Sequence, residues 1–445
     1  MVIIVHVFTM NRSRKIVFEE VPIRLSPAEA YARMRRPDQP SFLLESADGS
    51  SRTVAYSFLG TSPIDILRGR DGQDLEEVRE VMRHRRTGRA PFPFMGGLVG
   101  YFSYHFVNSM ETDLHLRDAG FPAYELGLFD SGLVYDHSAF KVYHFHPEGD
   151  ATVPLELDEE EPEEGFRLGE RLSGTERGSY ESGVVELKGR IEEGEVFQVV
   201  LSGYEEHRFK GDPFQLYLRL RQVNPSPYMF YLDFGERKVL GSSPETLVTV
   251  RDREAVTFPI AGTRPLGADL RERRDNRRSL LADEKERAEH LMLVDLARND
   301  LGKVCEHGTV EVADLMRVEE YSHVQHMVSR VRGILQEDRD SLDALSAVFP
   351  AGTVSGAPKH RAMRLIESLE GRGRGPYAGA VGYISDSGDL DTAITIRSAF
   401  VNGDRVRLQA GAGIVLDSVP EREYQECQGK LGAMHSSLRQ CEAVR

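Results

Sequence analysis

The stretch Gly411-Ala-Gly-Ile-Val-Leu-Asp-Ser-Val-Pro-Glu-Arg-Glu-Tyr-Gln-Glu-Cys-Gln-Gly-Lys430 carries the most informative pattern in the chain. It predicts a small-residue loop at Gly411–Gly413, followed by a helix that begins near Pro420, because proline suits the first helical turn. In that helix Glu423, Glu426 and Lys430 are spaced to share one face. Such an acidic face is usually solvated, but a second carboxylate pair elsewhere would make it half of a metal site.

A long helix predicted over residues 282–301 offers a matching pair of carboxylates. Glu286 and Glu289 stand three residues apart, and Leu293 and Asp300 continue at helical spacing. Two such helices could place four carboxylates around one hard cation, and Mg²⁺ prefers one or two direct carboxylates plus water. The pairing therefore predicts a magnesium site with one directly bound glutamate from each helix. A solvated surface is the alternative, because this helical spacing of glutamates is common in acidic proteins.

Length and composition restrict the class of protein. A chain of 445 residues predicts two domains or one large composite domain. The net charge of −15 argues against nucleic acid as a partner, since neutralising phosphates needs basic patches. Its three cysteines are too scattered for a disulfide framework, which predicts a cytoplasmic protein. The apolar segment 1–10 is predicted as a strand, and no stretch approaches the length of a membrane span.

Strand patterns outnumber helix patterns and rarely alternate with them. This arrangement predicts an α+β fold with large, mainly antiparallel β-sheets flanked by helices. One predicted strand, 391–401, carries Arg397. The acidic, proline-containing run 147–166 predicts a linker, so an N-terminal lobe at 1–166 would precede a second domain at 167–445.

Three glycine-rich segments are predicted as turns with accessible backbone N–H groups: Ile260–Arg264, Ala351–Lys359 and Gly411–Gly413. Such turns can bind carboxylates as well as phosphates. None of them matches a P-loop or a dinucleotide-binding fingerprint. Each alone is most often an ordinary turn, but the three together with Arg397 and Lys430 indicate a small polycarboxylate ligand.

Two further residues stay open on these grounds. His326 lies in a β-branched segment that suits either a strand or a helix, where a hydrogen-bonded core histidine is the ordinary interpretation. Glu245 follows a strand and a proline-fixed turn, so it is either a turn residue or a positioned acid.

Across these segments the chain resembles the chorismate-utilising enzymes, most closely the large subunits of anthranilate synthases. The resemblance covers nearly the whole chain and rests on Val196–Val200, Asn224–Met229, Ser243–Glu245, Pro259–Arg264, Glu289–Asp300, Ala351–Lys359, Gly375–Tyr383, Gln409–Val415 and Glu423–Glu426. It implies a chorismate-binding-enzyme fold with an N-terminal regulatory lobe. The implied activity is that of a lyase, which converts chorismate and ammonia to anthranilate and pyruvate through 2-amino-2-deoxyisochorismate in the first step of tryptophan biosynthesis.

The resemblance also implies a role for each matching residue. Glu289 and Glu426 would bind Mg²⁺ directly, with Glu286 and Glu423 acting through water. The implied catalytic residues are Glu245, which protonates the departing 4-hydroxyl, His326, which serves in pyruvate elimination, and Thr353 and Lys430. The implied substrate-binding residues are Gly262, Thr263, Tyr377, Arg397, Gly411, Gly413 and Lys430. This set is chemically coherent, because a dianion needs a cation and donors, and hydroxide leaves poorly without an acid.

Two positions separate rival activities within this family. Ala261 stands where aminodeoxychorismate synthases carry a lysine, and Gln198 stands where isochorismate and salicylate synthases carry one. Both residues favour an anthranilate synthase over an aminodeoxychorismate synthase or an isochorismate-type enzyme. A catalytically silent tryptophan-sensing subunit is the rival from another class, and the intact glutamate set argues against it.

A partner and an inhibitor are implied as well. No cysteine lies in a glutaminase nucleophile motif, so ammonia would come from a separate glutamine amidotransferase subunit (component II) or from solution. The segments Leu43–Ser46 and Asn224–Met229 resemble the tryptophan feedback site of the family. The implied inhibitor-binding residues are Leu44, Glu45, Ser46, Pro227, Tyr228 and Met229. The basic, glycine-rich segment Gly371–Gly375 is predicted as a mobile loop.

Overall fold

The computed structural model describes residues 15–46, 56–70, 72–87, 90–111, 113–150, 165–321 and 324–442. The predicted strand at 1–10 lies outside these residues. The described strands, numbered along the chain, are β1 (Ile16–Glu20), β2 (Ser41–Glu45), β3 (Tyr56–Thr61), β4 (Asp65–Gly69), β5 (Gly97–Phe102), β6 (Tyr124–Phe129), β7 (Gly132–Asp136), β8 (Lys141–Pro147), β9 (Arg167–Gly174), β10 (Gln198–Lys210), β11 (Tyr228–Phe234), β12 (Arg237–Ser243), β13 (Thr246–Arg251), β14 (Glu254–Thr257), β15 (Ile260–Pro265), β16 (Glu311–Glu320), β17 (Val324–Ile334), β18 (Gly356–Ala357), β19 (Ala380–Ser385), β20 (Leu390–Ile394), β21 (Ser398–Asn402) and β22 (Arg405–Ile414).

The helices flank these strands. They are α1 (Pro27–Met34), α2 (Glu76–Arg85), α3 (Arg177–Glu192), α4 (Pro213–Val223), α5 (Leu270–Ala282), α6 (Glu284–Gly302), α7 (Ser341–Val348), α8 (Lys359–Glu370) and α9 (Pro420–Glu442), with 3₁₀ turns at Tyr104–Ser109 and Gly352–Val354. Within the described part of the chain, no helix is long and apolar enough to cross a membrane.

Two large antiparallel sheets organise the molecule. The 12-stranded sheet has the order β1-β8-β7-β3-β2-β11-β12-β21-β22-β10-β18, and β9 also pairs with β10. The 10-stranded sheet has the order β15-β17-β14-β13-β20-β19-β5-β6-β4, and β16 also pairs with β17. The predicted α+β fold with antiparallel sheets is therefore confirmed.

Strands from both sides of the acidic segment 151–164 share these sheets. In the larger sheet β2 pairs with β11, and in the smaller one β5 pairs with β19. The acidic segment itself lies outside the described residues. The division into lobes at residue 166 stays a prediction.

The larger sheet is buried on both faces, as β11 illustrates. Phe230 and Leu232 belong to a core that also contains Leu98 of the smaller sheet. The intervening Met229 and Tyr231 belong to a second core, which the larger sheet forms with α1, α3, α4, α8 and α9. Because neighbouring strand residues point to opposite faces, the two cores lie on opposite sides of the sheet.

The helices α6 and α9 hold the predicted metal ligands. Helix α6 packs against β15 and β17, and α9 packs against β22. The side chain of Asp283 accepts hydrogen bonds from the backbone N–H groups of Lys285 and Glu286 and so begins α6. On α9, Cys427 and Leu431 form an apolar stripe that is buried against the sheet. The acidic face of α9 therefore remains accessible beside this stripe.

Two of the three predicted glycine-rich turns are strands. Gly411 and Gly413 lie within β22, opposite residues of β10. A Cβ on Gly411 would come within 2.8 Å of the Leu201 carbonyl oxygen, so the glycine permits close packing rather than a turn. Ile260–Arg264 likewise forms most of β15, with a bulge at Gly262, where φ is +71°.

Other differences involve strand ends and a missed helix. The predicted strand 391–401 is interrupted, and Arg397 lies in the break between β20 and β21 with φ of +51°. The segment of His326 resolves as strand β17. Helix α5 was not predicted, because Leu280 is its only buried residue and its arginine-rich sequence lacks an apolar stripe.

Candidate active site

One cavity of about 690 Å³ collects most of the predicted site residues. It opens beside β15, β17, β22 and α9. The predicted residues on its wall are Glu245, Gly262, Thr263, His326, Thr353, Tyr377, Arg397, Gly411, Glu426 and Lys430. The predicted residues that are not on its wall are Gly413, Glu286, Glu289 and Glu423.

Glu245 occupies the two-residue connection between β12 and β13. Its backbone carbonyl accepts a hydrogen bond from the Ile394 N–H at 3.0 Å, which fixes the connection. The Thr353 hydroxyl donates to its Oε1 at 2.7 Å. Burial raises the pKa of this carboxyl to about 7, although Thr353, Arg397 and Lys430 each lower it. A substantial fraction of Glu245 is therefore protonated at neutral pH and can donate a proton.

Two cations and a phenol lie on the same wall. Arg397 is reached by solvent through the cavity, while the surrounding protein desolvates its guanidinium and lowers its pKa. Lys430 donates to the Gly411 carbonyl at 2.8 Å and pairs with Glu426 at 2.9 Å. A Cβ on Gly411 would lie 3.1 Å from the Tyr377 hydroxyl, so that hydroxyl sits directly against the strand. This wall is suited to an anionic ligand.

His326 lies on β17 opposite Thr263 of β15. Its Nδ1 is 3.1 Å from the Gly262 carbonyl oxygen and 3.1 Å from the Thr263 hydroxyl. Because a carbonyl only accepts, Nδ1 carries the ring proton and Nε2 is the basic nitrogen. Burial lowers the pKa of His326, so the ring is neutral at pH 7 and available as a base.

The four predicted metal ligands repel one another across α6 and α9. Burial raises the pKa of Glu289, and the charges of Glu286 and Glu426 raise it further. Burial and the charge of Glu426 also raise the pKa of Glu423. A divalent cation between the helices would relieve this repulsion, and carboxylate oxygens are its preferred ligands. These residues therefore fit a hard cation such as Mg²⁺.

Basic side chains form ion pairs with two of these four glutamates. Arg264 donates to Glu286 at 3.1 Å, and Lys430 pairs with Glu426 at 2.9 Å. Among the described residues, no three of the four glutamates bring carboxylate oxygens within 4.8 Å of one another. Binding a cation therefore requires these carboxylates to turn away from their basic partners.

Gly413 lies at the glutamate end of the site. A Cβ on it would come 2.6 Å from the side-chain nitrogen of Gln198. That amide donates to Glu289 at 3.3 Å. The missing side chain at Gly413 therefore leaves room for Gln198 to reach the acidic group.

A second cavity, of about 290 Å³, collects all six residues predicted to bind an inhibitor. It forms where β2 pairs with β11, with Glu45 opposite Met229. Its wall is largely aromatic and apolar, with Tyr56, Phe58, Phe230, Val250, Phe258, Val381 and Tyr383 among its residues. The side chain of Met229 belongs to the helix-side core, so Met229 also has a packing role.

The polar groups of the second cavity form a short chain. The Tyr228 hydroxyl is 2.9 Å from Asp391 and 3.0 Å from the Thr246 hydroxyl. Burial raises the pKa of Asp391 to about 6, while the bond from Tyr228 lowers it. Arg251 adds a cation on the exposed side. Sequence patterns did not indicate Asp391 or Thr246, because single polar residues on strands carry no spacing signal.

Glu45 and Ser46 differ in their availability to a ligand. The Glu45 carboxylate accepts from the Tyr217 hydroxyl at 2.5 Å and from the Arg221 guanidinium at 3.1 Å. The Ser46 hydroxyl is buried with no hydrogen-bond partner among the described residues. Of the two, Ser46 is therefore the one with an unused hydrogen-bonding group.

A buried ion pair supports the back of the larger cavity. Arg374 is 2% exposed and pairs with Glu370 at 2.6 Å. Its guanidinium also donates to the carbonyl oxygens of Val200 and Val354 and lies 5.6 Å from the ring centroid of Tyr377. The segment Gly371–Gly375 was predicted to be a mobile loop. That prediction is wrong for Arg374, because these contacts fix its side chain. The i, i+4 spacing of the pair was the only sequence signal.

Comparison with known proteins agrees with this geometry. The model of the chorismate binding enzyme family matches residues 39–436. Anthranilate synthase component 1 of Methanothermobacter thermautotrophicus is 46% identical over 450 residues, which cover 97% of this chain and 96% of that protein. The chain belongs to the chorismate-binding enzyme family. Its predicted resemblance to anthranilate synthase large subunits is confirmed.

Solved structures extend the comparison of this chorismate-binding enzyme. Anthranilate synthase component I from Streptococcus pneumoniae superposes with a TM-score of 0.75 at 34% identity, over 92% of this chain and 97% of that chain. The menaquinone-specific isochorismate synthase from Escherichia coli superposes with a TM-score of 0.76 at 22% identity, over 96% of this chain and 95% of that chain. The second match shows a shared fold alone.

Proposed function

We propose that this chorismate-binding enzyme converts chorismate and ammonia to anthranilate and pyruvate. The observation that carries the proposal is Glu245, an acid with a pKa of about 7 beside Arg397 and Lys430 in one cavity. Ala261 on the same wall offers no nucleophile, and Gln198 donates its amide to Glu289. Ammonia must therefore attack the substrate itself.

The two carboxylates of chorismate match two ends of the site. The enolpyruvyl carboxylate would bind Arg397 and the Tyr377 hydroxyl, because a charge-assisted bond is the strongest contact available there. The ring carboxylate would face the glutamate end. Glu289 and Glu426 would hold Mg²⁺ directly, and when bound this ion neutralises the ring carboxylate. The outer pair, Glu286 and Glu423, would act through water.

The first step forms a carbon–nitrogen bond and breaks a carbon–oxygen bond. Ammonia attacks C2 of the ring, the double bonds shift, and the C4–O bond breaks. Glu245 gives its proton to the departing hydroxyl, which leaves as water. The resulting carboxylate keeps the hydrogen bond from Thr353 at 2.7 Å and lies near Arg397 and Lys430, which stabilise its charge.

The second step eliminates pyruvate from the aminated ring. We assign the removal of the C2 proton to Nε2 of His326, because Nδ1 is committed to the Gly262 carbonyl. The C3–O bond then breaks and the ring becomes aromatic. Pyruvate leaves as its enolate, which takes up the proton held by the His326 imidazolium. The Thr263 hydroxyl, 3.1 Å from Nδ1, helps to hold the imidazole in place.

The relatives carry the name component 1, which implies a second component. We infer that a glutamine amidotransferase subunit supplies ammonia to this chain. With free ammonium ions the chain would work without the partner.

The cytoplasmic location also stays a prediction, since it rests on cysteine usage alone.

We further propose that the 290 Å³ cavity binds L-tryptophan as a feedback inhibitor. The aromatic wall suits an indole ring, Arg251 offers a cation for the carboxylate, and Asp391 and Ser46 offer acceptors for the amine. A ligand in this cavity would lie beside Thr246, which follows the general acid Glu245 in the chain. The Thr246 hydroxyl is hydrogen-bonded to Tyr228, so a bound ligand that moves Tyr228 would also displace Glu245.

Product analysis tests the proposed reaction. Chorismate, Mg²⁺ and ammonium ions should give fluorescent anthranilate and an equal amount of pyruvate. Glutamine should replace ammonium only when the amidotransferase subunit is present. Isochorismate or 4-amino-4-deoxychorismate as the sole product would reject the proposal in favour of the rival activities, and no turnover would favour a silent sensing subunit.

A further inference from the structure

A second group of metal-ligating side chains lies apart from the four glutamates. Glu205 and His207 stand two residues apart on β10 and therefore point to the same face. His435 comes from α9, further along the helix than Lys430. One ligand atom from each of the three residues lies within 4.8 Å of the others. The mechanism proposed above uses none of them.

Both imidazoles converge on one carboxylate oxygen. Nε2 of His435 is 2.7 Å from Oε2 of Glu205, and Nε2 of His207 is 3.3 Å from the same oxygen. The two ring centroids are 5.8 Å apart. These two hydrogen bonds hold the pKa of Glu205 well below its usual range. The three side chains are thus already aimed at one point.

The His207 ring is buried, and only one of its two nitrogens faces the other two side chains of the group. The residue is 8% exposed, and its Nδ1 is buried without a hydrogen-bond partner among the described residues. Nε2, which lies 3.3 Å from Oε2 of Glu205, is therefore the ring nitrogen through which His207 can bind an ion at this cluster.

We propose that Glu205, His207 and His435 bind a divalent transition-metal ion of the Zn²⁺ class, separate from the Mg²⁺ site. Two imidazole nitrogens and one carboxylate oxygen form a donor set that Zn²⁺ favours, with water as the fourth ligand. Mg²⁺ prefers oxygen ligands alone and is directed to the glutamates instead. The bound ion fastens the later turns of α9 to β10.

Solvent access and one nearby positive charge affect how an ion would bind to these three side chains. The side chains of His435 and Glu205 are 22% and 17% exposed, so an ion can reach them from solvent. Arg171 of β9 lies opposite His207, and its charge contributes to the low pKa of Glu205. That charge opposes a cation. Neutralising Arg171 should therefore tighten metal binding without removing a ligand.

Cobalt titration of the tag-free, full-length chain tests the proposal. Excess Mg²⁺ is kept present to occupy the glutamates, and visible absorption follows Co²⁺ in a tetrahedral nitrogen-containing site. One equivalent of Co²⁺ should saturate the bands, and one equivalent of Zn²⁺ should then abolish them. Absence of visible bands in the wild type, or saturation only at several equivalents, would overturn the proposal.

Matched variants assign the bands to these residues. His435→Gln should lose them while keeping the wild-type melting temperature in the absence of metal, because His435 is partly exposed. Arg171→Gln should bind Co²⁺ about threefold to tenfold more tightly. The control is His360→Gln in the exposed group Glu111, Asp113 and His360, which should leave the bands unchanged. Bands that survive His435→Gln, or vanish in His360→Gln, would contradict the assignment.

Discussion

Glu245 and Thr246 are neighbours in the chain but face different cavities. Glu245 lines the 690 Å³ cavity together with Arg397 and Lys430, and Thr246 lines the 290 Å³ cavity together with Asp391. Each cavity holds a partly buried acid whose pKa is raised by desolvation, to about 7 for Glu245 and to about 6 for Asp391. Each acid also accepts a hydrogen bond from one hydroxyl group.

The two cavities differ in what surrounds the acid. The larger one places Arg397, Lys430 and His326 near Glu245, so it can bind an anion and move protons. The smaller one surrounds Asp391 with aromatic and apolar side chains, which suits recognition of an aromatic ring. A raised pKa by itself therefore does not identify a catalytic acid, and the neighbouring charges decide its role.

The largest expected effect separates the two acids directly. Glu245→Gln removes the proton donor while keeping the size of the side chain, so kcat should fall by about 10²–10⁴-fold. Chorismate affinity and tryptophan affinity, measured by calorimetry, should stay within threefold of wild type. Asp391→Asn is the matched variant and should retain kcat. Equal losses of kcat in both variants would remove the distinction between the cavities.

Arg397 tests whether the larger cavity recognises an anion. Arg397→Lys keeps the charge but loses the forked donor geometry, at a cost of about 1.5–3 kcal/mol for bonds to a charged group. We expect kcat/KM for chorismate to fall by about 10- to 100-fold, mainly through KM. Arg251→Lys in the smaller cavity should leave this constant unchanged. An unaltered KM in Arg397→Lys would contradict the proposed carboxylate contact.

The inhibitor site predicts a smaller, selective effect. Ser46→Ala removes a hydroxyl that has no partner among the described residues, so fold stability should hold and half-inhibition should need about fivefold more tryptophan, or about 1 kcal/mol. Met229→Thr should also weaken inhibition, but with a lower melting temperature, because Met229 packs in the core. Wild-type activity that persists at millimolar tryptophan would dispose of the regulatory proposal.

The smallest effect concerns the link between the cavities. Thr246→Val breaks the 3.0 Å contact with Tyr228 without changing the size of the side chain. Uninhibited kcat/KM should stay near the wild-type value, whereas maximal inhibition by saturating tryptophan should weaken by about twofold to threefold. The reverse pattern, with lost activity and intact inhibition, would place Thr246 with the catalytic residues.

Periodicity predicted most of the fold because most elements carry an apolar stripe or alternation. Helix α6 begins and ends within two residues of the predicted range 282–301, and α9 begins at Pro420 as predicted, since each has a clear start and a buried face. Helix α5 escaped prediction because only Leu280 is buried in it. Glycine was misleading in β15 and β22, where it permits close packing or a bulge rather than a chain reversal.

The residues of the candidate site also fall into those that the sequence pattern indicated and those that it did not. Paired glutamates at helical spacing were visible in the sequence, because one helix face requires that spacing. Asp391 and Thr246 were not visible, since both contact Tyr228 of another strand. Arg374 showed only its i, i+4 spacing to Glu370, because the carbonyl groups that it also contacts come from distant segments. The break at Arg397 was also hidden, because an arginine with φ of +51° has no sequence signature.

The pH dependence of kcat/KM for chorismate tests the central claim most directly, namely that protonated Glu245 is the acid in the larger cavity. The measurement is made between pH 5.5 and 8.5 at a fixed concentration of free ammonia. With a raised pKa of about 7, Glu245 is protonated below that pH, so the rate should fall tenfold per unit above it. Thr353→Val, which removes a bond that lowers this pKa, should shift the fall to higher pH. A profile that stays flat to pH 8.5, or a fall that Thr353→Val leaves in place, would contradict the account.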